Sequence, residues 1–244
     1  MEKEEILGIK VCNTTYEKLR EYITKDIKQN KKSFIVTVNP EKIVKANKDE
    51  SLKKILNEAE YQIPDGIGII YASKIKKGKI KSRITGIDTM EMLCDLSDKE
   101  GFKIFMYGGK ERTVQLAKEN IENKYKNINV CGYENGYEAD EGFVLNKINN
   151  SNPDILFVAL GSPNQEKFIS RNMEKINCKI LLGVGGSFDI ISGEKKRAPK
   201  WMQRKGLEWF YRLIKEPKRI FRQLKLTAFI WDVIMERTYS KSKR

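Results

Sequence analysis

Five short runs in which nearly every position is apolar recur along the chain: SFIVTVN (33–39), FKIFMYG (102–108), NINVCGY (127–133), DILFVALG (154–161) and KILLGVGG (179–186). Between them lie longer segments, EKIVKANKDESLKKILNEAE (41–60), ERTVQLAKENIENKYK (111–126), EGFVLNKINN (141–150) and QEKFISRNMEKI (165–176), whose apolar residues return three and four positions apart. The first pattern predicts strands buried on both faces, and the second predicts the amphipathic helices that cover them. Continuous apolar strands alternating with helices imply an α/β fold, a mostly parallel, Rossmann-like sheet with helices on both faces. Ligands in such sheets sit beyond the carboxyl ends of the strands, so the residues that follow each run are the candidate site. No internal repeat and no low-complexity linker interrupts the pattern.

The pattern changes near residue 195. Residues 195–244 carry sixteen Lys or Arg against four acidic residues, a net +12 out of the +14 of the whole chain. Ile220, Leu224, Ala228, Trp231 and Met235 recur at helical spacing as one apolar stripe, accompanied by Arg212, Lys215, Arg219, Arg222 and Lys225 and by the aromatics Trp201, Trp209, Phe210, Tyr211 and Phe221. The expected organisation is therefore an α/β core over 1–194 and a basic, amphipathic helical appendage over 195–244. Such a helix suits an anionic membrane surface. It equally suits docking on its own core with a solvated basic face, or self-association into a homo-oligomer. Nucleic acid is disfavoured as the partner, because the basic residues are mixed with aliphatic and aromatic ones and no nucleic-acid motif is present.

Composition narrows the chemistry. There is no histidine, which removes Ser-His-Asp and Cys-His machinery and histidine-ligated metals, so acid–base work falls to Asp, Glu, Lys, Tyr or Cys. The four cysteines, Cys12, Cys94, Cys131 and Cys178, are scattered without a C-x-x-C pair and are expected to be reduced and mostly buried. No apolar run approaches the ~20 residues of a membrane span, and MEKEEILGIK lacks the apolar segment of a signal peptide, so a cytosolic protein is expected.

Several residues after the strands are candidates for chemistry. Asp65 stands in YQIPDGIGIIYASK (61–74), where nearly everything else is apolar or small. It is either the cap of a helix beginning at Gly66 or a functional acid, and the glycines at 66 and 68 suggest that something approaches the backbone closely. Asn39, between a strand and Pro40, is an N-cap or a ligand contact, and Thr37 shares its strand face. GSPNQEKF (161–168) reads as a capping box of Ser162 and Gln165, or as a helix start whose free N–H groups attract phosphate or sugar oxygens. GVGGSFD (183–189) and MYGGKERT (106–113) are glycine turns after strands, without the dinucleotide fingerprint or the Walker lysine. Tyr137, Gly185, Gly186 and Asp189 are candidates for ligand contacts from their places after strands. D-x-D is absent from the chain.

Taken in order, TVNPEKI (37–43), IPDGIGI (63–69), RITGIDTM (83–90), YGGKE (107–111), GSPNQEKF, GVGGSFDIISGEKKRAPKW (183–201) and GLEWFYRLIKEPKR (206–219) resemble the WecG/TagA/CpsF family of bacterial glycosyltransferases over nearly the whole chain. The resemblance implies inverting transfer of an N-acetylmannosamine-type sugar from UDP to N-acetylglucosamine on undecaprenyl diphosphate. In the teichoic-acid branch this builds the linkage unit of wall teichoic acid, whereas other branches use the uronic acid or build capsule. It implies active-site roles for Thr37, Asn39, Arg83 and Gln165. Inversion requires a base for the acceptor hydroxyl, and with no histidine Asp65 is the natural choice. Without D-x-D, no metal and no cofactor is expected. The lipid-linked acceptor assigns the tail to the inner membrane face, with Arg212, Arg219 and Arg222 brought over the site to stabilise the diphosphate.

Overall fold

The chain opens, in a computed structural model, with an antiparallel hairpin of β1 (Lys3–Ile6) and β2 (Ile9–Cys12), followed by α1 (Tyr16–Lys28). Then come β3 (Ser33–Val38), α2 (Pro40–Ala46), α3 (Glu50–Glu58), β4 (Tyr61–Pro64), α4 (Ile67–Ile75), α5 (Gly86–Glu100), β5 (Lys103–Gly108), α6 (Glu111–Lys124) and β6 (Asn129–Glu134). The rest is α7 (Glu141–Ser151), β7 (Ile155–Ala159), α8 (Asn164–Asn172), β8 (Ile180–Gly183), α9 (Ser187–Ile191), α10 (Lys200–Arg204), α11 (Glu208–Lys215) and α12 (Ile220–Ser242). The structure describes residues 1–137, 140–217 and 220–242, with 220–225 and 239–242 as backbone only.

All five apolar runs are strands of one parallel six-stranded sheet, ordered β4-β3-β8-β7-β5-β6. Their apolar continuity has a direct cause, because successive side chains point to opposite faces and both faces are covered. Phe34, Val36, Val38, Leu156 and Val158 pack with α2, α3, α8 and the hairpin on one side. Ile35, Ile155, Phe157, Ile180 and Leu182 pack with α1, α5 and α6 on the other. The four cysteines are free thiols, three of them buried.

Two features depart from the sequence pattern. The segment 41–60 is two helices, because the Asp49 carboxylate accepts from Leu52 N–H (3.0 Å) and starts α3 afresh. The edge strand β4 is only four residues long and includes Gln62, whose buried amide donates to the Leu56 and Ala59 carbonyls (2.9 and 2.6 Å). A polar residue with its partners built in is affordable inside a sheet but hides the strand from a search for apolar runs.

In the C-terminal segment, α12 lies on α2 and α4. Its buried residues are Phe229 and Val233, with Leu226 and Ile230 partly buried against the same core. The stripe expected from spacing points elsewhere: Ala228, Trp231 and Met235 are exposed, Trp231 by 63%. The side chains of Ile220 and Leu224 lie outside the described residues. The helix thus has two apolar faces, and the one carrying Phe229 docks. A Lys76–Glu236 ion pair (2.6 Å) ties it to the end of α4. No helix among the described residues is long and apolar enough to cross a membrane.

Candidate active site

A cavity of about 500 Å³ opens beyond the carboxyl ends of β4, β3, β8 and β7. Seven of the residues singled out from the sequence meet there: Thr37, Asn39, Asp65, Arg83, Gln165, Gly185 and Gly186, with Arg212 arriving from α11. Tyr137 and Asp189 do not line it. Tyr137 is exposed on the loop after β6, and Asp189 pairs with Lys195 (3.2 Å). Arg219 and the side chain of Arg222 lie outside the described residues.

The ambiguity at Asp65 resolves in its backbone. Its N–H donates to the Val38 carbonyl (2.8 Å), extending the β4–β3 ladder, and α4 begins only at Ile67, after Gly66 at φ +98°. No side chain caps that helix, so the Asp65 carboxylate is left uncommitted, with no hydrogen bond or ion pair among the described residues. Burial raises its pKa, against the pull of the Arg212, Lys42 and Arg83 cations, while Glu208 pushes in the same direction as burial. The two glycines beside it differ in purpose. Gly66 faces open space and takes a backbone conformation that L side chains avoid. Gly68 is a packing glycine, since a Cβ there would lie 2.5 Å from Pro40 Cγ and 3.2 Å from Leu226 Cδ1.

Opposite Asp65 the floor is a buried polar chain. Asn39 caps α2, its Oδ1 accepting from Lys42 N–H (2.9 Å), and also lines the cavity. The Lys42 ammonium donates to Glu166 Oε1 (2.7 Å) and Thr37 Oγ1 (3.1 Å). Gln165 donates from Nε2 to the same Glu166 oxygen (3.0 Å) and accepts Gly185 N–H on Oε1 (3.0 Å). The capping-box reading of Ser162 and Gln165 is therefore not met, because the Gln165 amide turns to Glu166 and Gly185 across the cavity floor and no side chain caps α8. Gly183 leaves the room for it: a Cβ there would lie 2.5 Å from Gln165 Nε2.

A second cluster fastens the segment after residue 195 to the rim. Arg83 donates to Glu208 (2.7 Å) and to the Gln203 carbonyl (3.2 Å). Arg197 donates to Glu208 (3.0 Å) and in bidentate fashion to Asp88 (2.6 and 2.8 Å), which also accepts from Thr85 Oγ1 (2.6 Å). Burial works to raise the Asp88 pKa, yet the Arg197 guanidinium and the Thr85 hydroxyl hold it below its ordinary value. Tyr16, half-buried beside Asp88, is pushed up to about 12 by desolvation and by that carboxylate. Lys42, Glu166, Asp88, Arg197 and Glu208 were not singled out from the sequence, although all five belong to the blocks quoted for the resemblance.

Chemically, the site combines an uncommitted carboxylate of raised pKa with Lys42, Lys45, Arg83 and Arg212, at a place where α4, α5 and α8 also begin. Helix starts and cations together favour an anionic ligand, and the carboxylate can take a proton. Outside the cavity, Trp201, Phe210, Ile214 and Trp231 are exposed apolar side chains of the C-terminal segment, and Trp209, also exposed, stands on its lining.

The model of the Glycosyl transferase WecG/TagA/CpsF family matches residues 4–243. The chain is 38% identical over 243 residues to the N-acetylglucosaminyldiphosphoundecaprenol N-acetyl-beta-D-mannosaminyltransferase of Bacillus subtilis (strain 168), covering 99% of this chain and 95% of that protein. It is 31% identical over 234 residues to the protein of the same name from Staphylococcus aureus (strain MW2), covering 95% and 92%. With the match unbroken across sheet, cavity and C-terminal segment, the chain belongs to the WecG/TagA/CpsF family of glycosyltransferases.

Proposed function

We propose that this protein transfers N-acetylmannosamine from UDP-N-acetylmannosamine to N-acetylglucosamine carried on undecaprenyl diphosphate, with inversion, in synthesis of the wall teichoic acid linkage unit. The observation that carries the mechanism is the free Asp65 carboxylate facing a cation-lined cavity. The acceptor hydroxyl oxygen attacks the anomeric carbon while the bond to the UDP oxygen breaks. Asp65 takes the hydroxyl proton, and the electron pair leaves on the β-phosphate. A raised pKa makes Asp65 a stronger base than a surface aspartate, while the nearby cations favour its ionised form. Arg83, Arg212 and the helix starts offset the charge that develops on UDP. Cationic side chains in that place, and a sequence without D-x-D, support metal-independent transfer; loss of activity in chelator that magnesium restores overturns that part.

Membrane docking completes the reading. The acceptor is lipid-linked, and the exposed aromatics of 201–231 belong to the same segment as Arg212, with Trp209 beside it on the cavity lining, so a peripheral position on the inner face of the membrane brings lipid, cations and Asp65 together. Residues 195–244 act as the docking element of a core formed by 1–194. Removing them is expected to abolish transfer to a lipid acceptor and sedimentation with anionic liposomes; a fully active truncation refutes this.

The test of the whole is UDP release from UDP-N-acetylmannosamine with a polyprenyl-diphosphate–N-acetylglucosamine acceptor, for wild type and Asp65→Ala. Acceptor-dependent release that disappears in the variant is the expected result. Equal release from both removes Asp65 as the base, and release from neither removes the donor or the acceptor.

A further inference from the structure

The buried ion pair beneath the cavity lacks a role in the chemistry above. Lys42 is 4% exposed and Glu166 0%. Lys42 stands in the first turn of α2, where a cation opposes the helix dipole, and desolvating two charges rarely stabilises a fold. Its geometry does something else. Thr37 Oγ1 accepts from the ammonium, so the hydroxyl hydrogen has to point away from Lys42, and no acceptor among the described residues takes it. Gln165 is held by Glu166 on Nε2 and by Gly185 N–H on Oε1, which fixes the amide against a flip and leaves its second Nε2 hydrogen without an acceptor among the described residues. Both residues line the cavity, so two unspent donors are held there.

We infer that Lys42 and Glu166 are a positioning pair that orients the Thr37 hydroxyl and the Gln165 amide as donors to oxygens of the bound sugar nucleotide. The inference rests on the proposed function in taking that ligand to be a UDP-sugar. Thr37 and Gln165 touch substrate, and Lys42 and Glu166 act through them. Because the Lys42 ammonium and the Gln165 amide share Glu166 Oε1, and Thr37 hangs on that ammonium, displacing either partner of the pair loosens both sides of the floor together.

Lys42 also faces Asp65, along with Arg212, Arg83, Glu208 and Tyr16. This gives a readout that a merely structural role would not move. Lys42→Met keeps the aliphatic stem and removes the ammonium. It is expected to lower kcat by on the order of 10²-fold, since small misplacements of reacting groups have that effect, with KM for the donor changed far less. The acidic limb of its pH–rate profile moves to higher pH, because a cation that favours the ionised Asp65 is gone.

Lys42→Met leaves Glu166 buried and unpaired and lowers Tm, so the decisive variant is Lys42→Met/Glu166→Gln, which buries no charge. The positioning role requires the double variant to regain Tm while kcat stays depressed. A double variant that regains both Tm and kcat, or one that does not fold, makes the pair structural and overturns the inference. So does a folded Lys42→Met with wild-type kcat and an unmoved acidic limb. Wild-type UDP release measured alongside separates the two layers: no release from wild type is a failure of the proposed function, whereas the variant pattern speaks to the pair alone.

Discussion

Replacing Glu208 with alanine removes the one acceptor shared by Arg83 and Arg197. The contacts are 2.7 and 3.0 Å, and the side chains are 9% exposed for Glu208 and 18% for each arginine. A charge-assisted hydrogen bond contributes about 1.5–3 kcal/mol, which sets a gross loss of roughly 3–6 kcal/mol. Arg197 keeps its bidentate hold on Asp88 and both guanidiniums retain some water, so the lower end, about 3 kcal/mol, is expected. Glu208→Gln keeps one acceptor oxygen and should lose about half as much. The loss falls on 197–215, because Arg197, Gln203 and Glu208 are the residues by which that segment grips α5 and the cavity rim. Local opening of that segment should therefore rise by on the order of 10²-fold in Glu208→Ala, since each 1.4 kcal/mol is tenfold. Amide exchange across α10 and α11 measures it directly, and Trp201 and Trp209 report the same opening by fluorescence in urea. Transfer activity should fall with it as Arg83 loses its anchor. Wild-type exchange protection over 200–215 in Glu208→Ala would refute the reasoning.

Three further outcomes follow from the same geometry. Asp65→Asn should lower kcat by about 10²–10⁴-fold while raising Tm at pH 7. Its folded pKa is raised, so the stability it contributes is present below the unfolded value of 3.8 and is lost as pH rises through the folded value; an unchanged or lower Tm counts against that burial. Asp88 has the opposite sign: its folded pKa is lowered, so its contribution is present above 3.8 and disappears as pH falls through the folded value. Asp88→Asn should thus lower Tm at pH 7 and bring the variant and wild-type curves together under acid, a convergence that thermal melts at stepped pH would show or deny. Phe229→Ala should cost about 3–5 kcal/mol in urea unfolding, because the ring is fully buried between α12 and the core. A loss below 1 kcal/mol would mean that α12 does not dock in solution.

What the sequence disclosed depended on whether a residue's role was written in its neighbours. The strands β3, β5, β6, β7 and β8 were legible because burial on both faces forces apolar continuity, and Asp65 stood out as a carboxylate among small and apolar residues, although only the fold shows that it caps no helix. Lys42 and Glu166 were not legible, since each sits in a helix whose charged residues look like a solvated face until α2 and α8 are brought together on one side of the sheet. Glu208, Arg197 and Asp88 were hidden in the same way, by separations of 11 and 109 residues. The tail shows the limit most directly. Its helix carries two apolar stripes of similar spacing, and periodicity alone does not rank them. The choice is made elsewhere, at Gly68: without a Cβ, α4 lets Pro40 of α2 and Leu226 of α12 close on its backbone. That contact turns Phe229 and Val233 inward and leaves Trp231 outward. It also seats Leu226, in the first half of α12, against the same cavity that Arg212 enters from α11. A bulkier residue at 68 should therefore displace α12 and with it the wall of the site, so the glycine that looked like an approach for ligand acts on the ligand through the helix it admits.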